Sequence, residues 1–322
     1  MTALAEKTTL PKRTRAHATG ALRWLAIVVV LGFACYHLSA NWSEFWDTLA
    51  GVAVSSSLLS QLMVLIAIVA STYGWQLIVN DLGRPVGYYR GAQIYLVGQL
   101  GKYVPGSVWG YLLQMELGKQ AGLARARVFT GSVVHFGVAV VGATMIGSIA
   151  LPVILDTTPR VLWILGLLPI GLIVLHPAVL TWCTSLVLRV LRRPALDHQL
   201  EAGTILRILG TIGVAFVFQG LHLWLLANSI GAAGLSGLAL CIGAMALGMV
   251  AGTAAFFLPA GVGAREGVLV AVLMTSGFGA TQALAFAAAS RVMFILADLI
   301  LAGGSALAAR AATINDRADH ER

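Results

Sequence analysis

Lys102 and the adjacent Arg265 and Glu266 are charges set in apolar sequence, each beside a proline turn: GQLGKYVPGSVWG around Pro105 and FFLPAGVGAREG around Pro259. A charge at the centre of a bilayer costs ~2.5–3.5 kcal/mol on insertion scales, so charges held there mark ligand sites, ion paths or counter-charges. A proline–glycine break at that depth frees backbone N–H and C=O groups, which survive only when packed in protein or lining a wet cavity. Lys102 places a cation at the first break. The half-helix beginning after Pro105 and Gly106 adds the partial positive charge of a helix N-terminus. Together they suit an anionic group, above all phosphate. Snorkelling of Lys102 to the inner interface is the bland alternative.

At the second break Arg265 and Glu266 follow Pro259, Gly261 and Gly263. Neighbouring helical residues point about 100° apart, so the two do not pair with each other. Arg265 suits bidentate phosphate binding. Glu266 is expected to accept from Lys102 or to carry a coupling proton, and an ion pair locking the two breaks together is the structural alternative. On the last apolar segment Arg291 and Asp298 lie seven residues apart on one face, about 10 Å along the axis. That is too far for direct contact but open to bridging by a substrate or by Glu266. His135 stands near the repeat equivalent of Arg291 and is a second proton-relay candidate; a lone histidine is more often a hydrogen-bonded packing residue. Tyr103 lines the first turn. Gln219, His222 and Asn228 are polar enough to face the interior, and helix-packing glue is their simpler role.

Breaks of this kind need long apolar helices around them. The chain has 322 residues, 58% hydrophobic and 11% charged, against about 25% charged in soluble domains. Several runs exceed the ~18 apolar residues of a transmembrane helix. The first run, after Arg23, is longer than the ~7–15-residue core of a signal peptide and has no small-x-small site before Asn41, so it reads as a span. The net charge of +8 follows membrane sidedness rather than a nucleic-acid surface. Lys7, Lys12, Arg13, Arg15 and Arg23 precede the first span, and later basic residues gather at Arg84/Arg90, Lys119/Arg125/Arg127, Arg189/Arg192/Arg193/Arg207 and Arg310/Arg317/Arg322. The alternate connections 41–53, 151–160 and 231–238 carry only Arg160. By the positive-inside rule both termini are cytoplasmic, in a bacterial inner (plasma) membrane. Cys35, Cys183 and Cys241 show no metal-ligand spacing and read as small buried hydrophobes. No Walker, G-x-S-x-G, HExxH or acidic metal motif occurs, so no cofactor, metal or catalytic residue is assigned.

The expected organisation is a disordered basic tail over 1–20, one membrane domain over 21–310 and a cytoplasmic tail over 311–322. Spans are expected near 21–40, 54–80, 127–151, 160–176, 205–230 and 281–309, with a short interfacial helix in NWSEFWDTLAG and an amphipathic basic segment over 177–201. Residues 92–121 read as a re-entrant hairpin, because the arms flanking Pro105–Gly106 are too short to cross. Residues 238–278 form the second broken element. The halves correspond: Gly122 lies seven residues before Phe129, and Gly279 seven before Phe286. The predicted fold is an all-α polytopic membrane protein with an inverted-topology repeat, 21–151 and 160–309. It has about six full transmembrane helices plus two re-entrant broken hairpins, or eight spans if 238–258 and 264–279 both cross.

At GQLGKYVPGSVWG and LPAGVGAREGVLV the chain resembles the lysylphosphatidylglycerol synthase transmembrane, flippase-like family. That family shows a glycine–lysine–tyrosine–x–proline–glycine run in its first half, here Gly101, Lys102, Tyr103, Pro105 and Gly106. In its second half it shows a proline, spaced glycines and an arginine–glutamate pair, here Pro259, Gly261, Gly263, Arg265 and Glu266. Arg291 resembles an arginine on the family's last helix, whereas Ala260 and His135 depart from its pattern. In its best-known members this region is fused to an aminoacyl-transferase that builds lysylphosphatidylglycerol, and it moves that lipid across the bilayer. A soluble synthase part is not expected in this sequence, so the resemblance implies transport rather than synthesis. The expected function is a flippase for an anionic phospholipid or polyprenyl-phosphate-linked lipid, with a synthase or glycosyltransferase as partner. The alternative is a membrane-embedded enzyme, or accessory subunit, of lipid-linked glycan or aminoacyl-lipid metabolism.

The charge asymmetry makes a direct prediction. Cysteines introduced at Asn41 and Gly234 will label from outside, and those at Arg90, Leu196 and Arg322 from the cytoplasm. Labelling of position 234 from the cytoplasm alone would defeat the inverted repeat.

Overall fold

A computed structural model of the protein describes residues 42–104, 108–150, 173, 177–190, 201–228, 234–255, 258 and 261–320. The chain divides into two units, Met1–Trp42 and Ser43–Arg322, and the elements that follow belong to the second, Trp42 aside. Among the described residues every regular element is helical. The expected spans over 21–40 and 160–176 fall outside the described residues, Ile173 aside.

Among the described residues five helices are long and apolar enough to cross a membrane: α2 (Val54–Asp81), α5 (Arg125–Gly147, extended to Ala150 by a 3-10 turn), α7 (Ala202–Ala227), α8 (Gly234–Ala254) and α10 (Ala280–His320). The protein is therefore an all-α, multi-pass membrane protein. Side-chain placement agrees. Leu58 and Leu62 of α2, Leu206 and Val217 of α7, and Val292, Leu296 and Leu299 of α10 are exposed, whereas Ser60, Gln76, His222 and Asp298 are buried. Lipid tails accept the leucines, and the polar groups must find partners inside. α7 packs along α2, and α8 contacts α5, α7 and the short helix α9 (Ala264–Thr275). The amphipathic segments are also present. α1 (Trp42–Ala50) buries Phe45 and leaves Trp46 half-exposed, and α6 (Pro177–Val190) exposes Trp182 and Leu186.

The first broken element folds as a helical pair. α3 (Tyr88–Gln99) ends in a 3-10 turn over Leu100–Tyr103, and α4 (Trp109–Gln120) packs back against it. Each arm has 12 residues, about 18 Å at 1.5 Å per residue, well short of the ~30 Å hydrocarbon layer. Glycine lets the arms touch. A Cβ on Gly101 would fall 2.5 Å from the backbone nitrogen of Gly110, and one on Gly98 would fall 2.1 Å from Cγ of Gln114.

The second broken element is unlike the first. α8 has 21 residues and α9 only 12, so α8 is long enough to cross and α9, at about 18 Å, is not. This departs from the eight-span alternative, which needs 264–279 to cross back. α8 runs long because its glycines are packing sites rather than breaks: a Cβ on Gly243 would fall 2.2 Å from that of Ala150. The chain then turns through Gly261 and Gly263, at φ 64° and 86°, where any other residue is strained. At Gly261 a Cβ would also fall 2.6 Å from Cα of Gly252. α10 continues to His320, through the segment expected as a tail, because no proline or glycine after Gly304 stops it.

The close approach at Gly101 predicts that Gly101→Ala lowers unfolding stability in detergent by about 1–3 kcal/mol through overpacking. Gly137→Ala, where a Cβ meets nothing within 4 Å, will be neutral or slightly stabilising. Equal melting temperatures for the two variants would contradict the packing account.

Candidate functional site

A cavity of about 410 Å3 is lined by residues of α2, α3, α4, α5, α7, α8 and α10 and of both breaks. Its charged lining residues are Lys102, Arg265 and Asp298; Ser71, Gln99, Gln114, Ser132, His135, Gln219 and Thr253 are polar and neutral, and Tyr95, Phe216 and Phe294 are aromatic.

Asp298 is 2% exposed, in the middle of α10, and its Oδ2 lies 2.6 Å from Nζ of Lys102, which is 35% exposed. The hydroxyl of Tyr103 donates to the same oxygen. The 3-10 turn after α3 presents these two consecutive residues to one carboxylate. A buried carboxylate needs such partners, since leaving it unpaired costs several kcal/mol.

The second break makes its own pair. Nη1 of Arg291 lies 3.2 Å from Oε1 of Glu266, and the N–H of Gly263 donates to Oε2 at 2.8 Å. Glu266 thus caps the start of α9 while facing α10, a favourable place for a carboxylate. The expectation that Glu266 accepts from Lys102, or bridges Arg291 and Asp298, is corrected here. The two α10 charges stand about 10 Å apart along the helix, and each meets a different break. Glu266 goes to Arg291, and Lys102 to Asp298.

Arg265 points elsewhere. Its guanidinium lies over the ring of Phe294 at 4.3 Å, and its Nη2 atom is buried with no hydrogen-bond partner among the described residues. The other contact of Phe294 is the edge of His222 at 5.6 Å. His222 is fully buried, with Ser60 Oγ 2.6 Å from Nδ1 and Ser290 Oγ 2.9 Å from Nε2. This ties α2, α7 and α10 together and does not line the cavity, so His222 is a packing residue. Gln219 lines the cavity, whereas Asn228 is exposed at the end of α7, contrary to expectation.

His135 is 6% exposed, lines the cavity, sits edge-on to Tyr95 at 5.5 Å and leaves its Nε2 without a partner among the described residues. Beside it Trp75 donates to Ser132 at 2.9 Å, and Ser132 donates to Gln114.

Of the residues expected from sequence to bind substrate, Lys102, Gly261, Arg265 and Asp298 line the cavity. Tyr103, Gly263, Glu266 and Arg291 stand behind it in the polar contacts just described. Pro105, Gly106 and Pro259 lie outside the described residues. Gln99, Gln114, Ser132 and Tyr95 were not singled out by the sequence; the signal was available in two glutamines flanking the GKYVPG turn inside apolar helices. Among the described residues no group of three His, Cys, Asp or Glu side chains could hold a metal ion.

Residues 21–302 match the family model described as Lysylphosphatidylglycerol synthase TM region. The chain belongs to that family. Membership links it to lipid handling in the membrane and places both breaks and the α10 charges within the matched region. No curated protein matches the chain.

The pairing predicts the outcome of a double-mutant cycle. Lys102→Met will destabilise by about 2 kcal/mol, less than the 3–5 of a fully buried pair because Lys102 keeps part of its water. Adding Asp298→Asn will recover most of the loss, while Lys102→Met and Glu266→Gln will add independently. Thermal unfolding of the four variants measures this; coupling of Lys102 to Glu266 instead would reassign the pairs.

Proposed function

We propose that this protein is a transporter that moves a phosphate-bearing lipid, an anionic phospholipid or a polyprenyl-phosphate-linked lipid, across the inner membrane. The observation that carries the reading is Arg265: it lines a cavity that Lys102 also lines, and its buried Nη2 has no hydrogen-bond partner among the described residues. A buried cationic donor left unpaired is costly unless a ligand completes it, and a phosphate oxygen is the acceptor for which arginine is best suited.

In this reading the phosphate binds between Arg265 and Lys102. It competes with Asp298 for Lys102 and so loosens the tie between the first break and α10. The second break stays held by Glu266 and Arg291. Alternate release of the two ties opens the cavity to one leaflet and then the other, with the two breaks acting as counterparts in an inverted repeat. Glu266, and His135 within the cavity, are the groups able to carry a coupling proton. Basic clusters facing the cytoplasm set the orientation, and a synthase or glycosyltransferase supplies the lipid.

Thermal-shift titration of the purified protein tests the binding step. Phosphatidic acid and phosphatidylglycerol will stabilise it, by about 2.7 kcal/mol at a hundredfold excess over Kd. Phosphatidylcholine will not, and Lys102→Ala or Arg265→Ala will weaken the effect. Equal shifts with the zwitterionic lipid, or no change on removing both cations, would sink the phosphate site. Transport is read in liposomes from the movement of a labelled anionic lipid between leaflets.

A further inference from the structure

We infer that the base of the first broken element is a separate anion site, which seats the phosphate of an anionic lipid from the adjoining leaflet; this does not depend on the phosphate reading of the cavity. A second hollow, of about 300 Å3, lies where the start of α3 meets the turn between α4 and α5. Arg84, Arg90 and Arg127 line it together with Gly87, Gly122 and Leu123, and no acidic residue is among its described lining. Arg127 is fixed in place without being neutralised. Its Nε and Nη2 donate to the carbonyl of Val79 at 2.9 and 2.6 Å, and Nη2 also donates to the carbonyl of Arg84. Carbonyls satisfy those donors but leave the positive charge. The acids nearest in sequence have other partners: Asp81 accepts from Thr204 at 3.0 Å, and Glu116 pairs with Arg125. Gly87 caps α3 with no side-chain hydrogen bond, so the first-turn N–H groups add partial positive charge beside the arginines.

Position decides the source of the phosphate. α2 ends at Asp81 and α5 begins at Arg125, so the hollow sits at the ends of two spans, in the headgroup layer rather than in hydrocarbon. Tyr88 and Tyr89, in the first turn of α3, are both about half exposed, as suits rings at a membrane–water interface. Basic pockets between transmembrane helices at this level hold anionic headgroups. Arginine fits the task because its fork takes two phosphate oxygens at once. A phosphate seated here ties the start of α3 to the start of α5. It thereby steadies the base of the hairpin whose far end presents Lys102, about 18 Å along the chain axis from Arg90.

The test counts lipids on the full-length protein in detergent by native mass spectrometry, titrating phosphatidylglycerol, phosphatidylcholine and soluble glycerol 3-phosphate separately. Lys102→Ala/Arg265→Ala, which lacks the cavity's cations, is expected to keep one saturable phosphatidylglycerol. Adding Arg84→Gln will weaken that lipid about tenfold, the worth of one charged hydrogen bond, and Arg84→Glu will remove it. In the wild-type background Arg84→Glu will likewise lower the count by one, so the result stands even where the cavity variant does not fold. Arg207→Gln takes the same charge from an exposed position at the start of α7 and will leave the Kd within about twofold. Phosphatidylcholine and glycerol 3-phosphate will bind at least about tenfold more weakly than phosphatidylglycerol. An equal loss on Arg207→Gln, no loss on either Arg84 substitution, or glycerol 3-phosphate binding as tightly as the lipid overturns the inference. Failure of the cavity reading is separate: the wild type then binds one phosphatidylglycerol, and Arg84→Glu removes it.

Discussion

A carboxylate buried in the middle of a transmembrane helix cannot stand alone, and Asp298 organises much of the structure around that constraint. At 2% exposure it has no water to rely on, and Lys102 and Tyr103 supply its partners from a turn 195 residues away in sequence. At that turn the chain doubles back, with α4 packed against α3. The doubling back is possible only because Gly98, Gly101 and Gly110 let two short helices lie backbone to backbone. The break, the glycines and the ion pair are thus one device. Removing Lys102 and Tyr103 would leave a buried carboxylate without the partners that make it tolerable.

The second break obeys the same constraint with different parts. Glu266 meets Arg291 through the air-tight geometry of a helix cap, and Gly263 supplies the backbone donor. Both breaks are therefore moored to α10, about two turns apart, and Arg265 is left over. It rests on Phe294, whose ring also touches the His222 cluster that joins three helices. A cation placed this way is held against the Phe294 ring, and its Nη2 has no hydrogen-bond partner among the described residues. Family membership ties the region to lipid handling, and Arg265 and Lys102 are the cations among the described residues that line its cavity.

Much of this was readable before any coordinates. The spans expected near 54–80, 127–151, 205–230 and 281–309 follow from long apolar runs with few charges, and the helices over 54–81, 125–150, 202–227 and 280–312 meet them. Lys102, Arg265, Glu266, Arg291 and Asp298 declared themselves as charges in hydrocarbon. The pairing among them did not, because partner choice depends on which level of α10 each turn reaches, and the sequence gives helical phase but no height for the turns. Glu266 and Lys102 looked complementary by charge alone, and only the depth of each break separates them. The length of α8 was legible, since 238–258 reads as long enough to cross; the shortness of α9, which ends at Thr275, was not. In α8 close neighbours such as Ala150 and Gly261 make the glycines seats for packing. The neutral wall of Gln99, Gln114 and Ser132 escaped notice because a lone amide or hydroxyl in an apolar helix has no signature until its neighbours are known.

α10 has one more property. It is a single continuous helix of 41 residues, about 60 Å at 1.5 Å per residue, roughly twice the thickness of the hydrocarbon layer. Both moorings, at Arg291 and Asp298, grip its first half. Because one unbroken helix carries Arg291 and Asp298, the spacing of the two moorings is set at about 10 Å, and neither break can slide along α10 without giving up its partner.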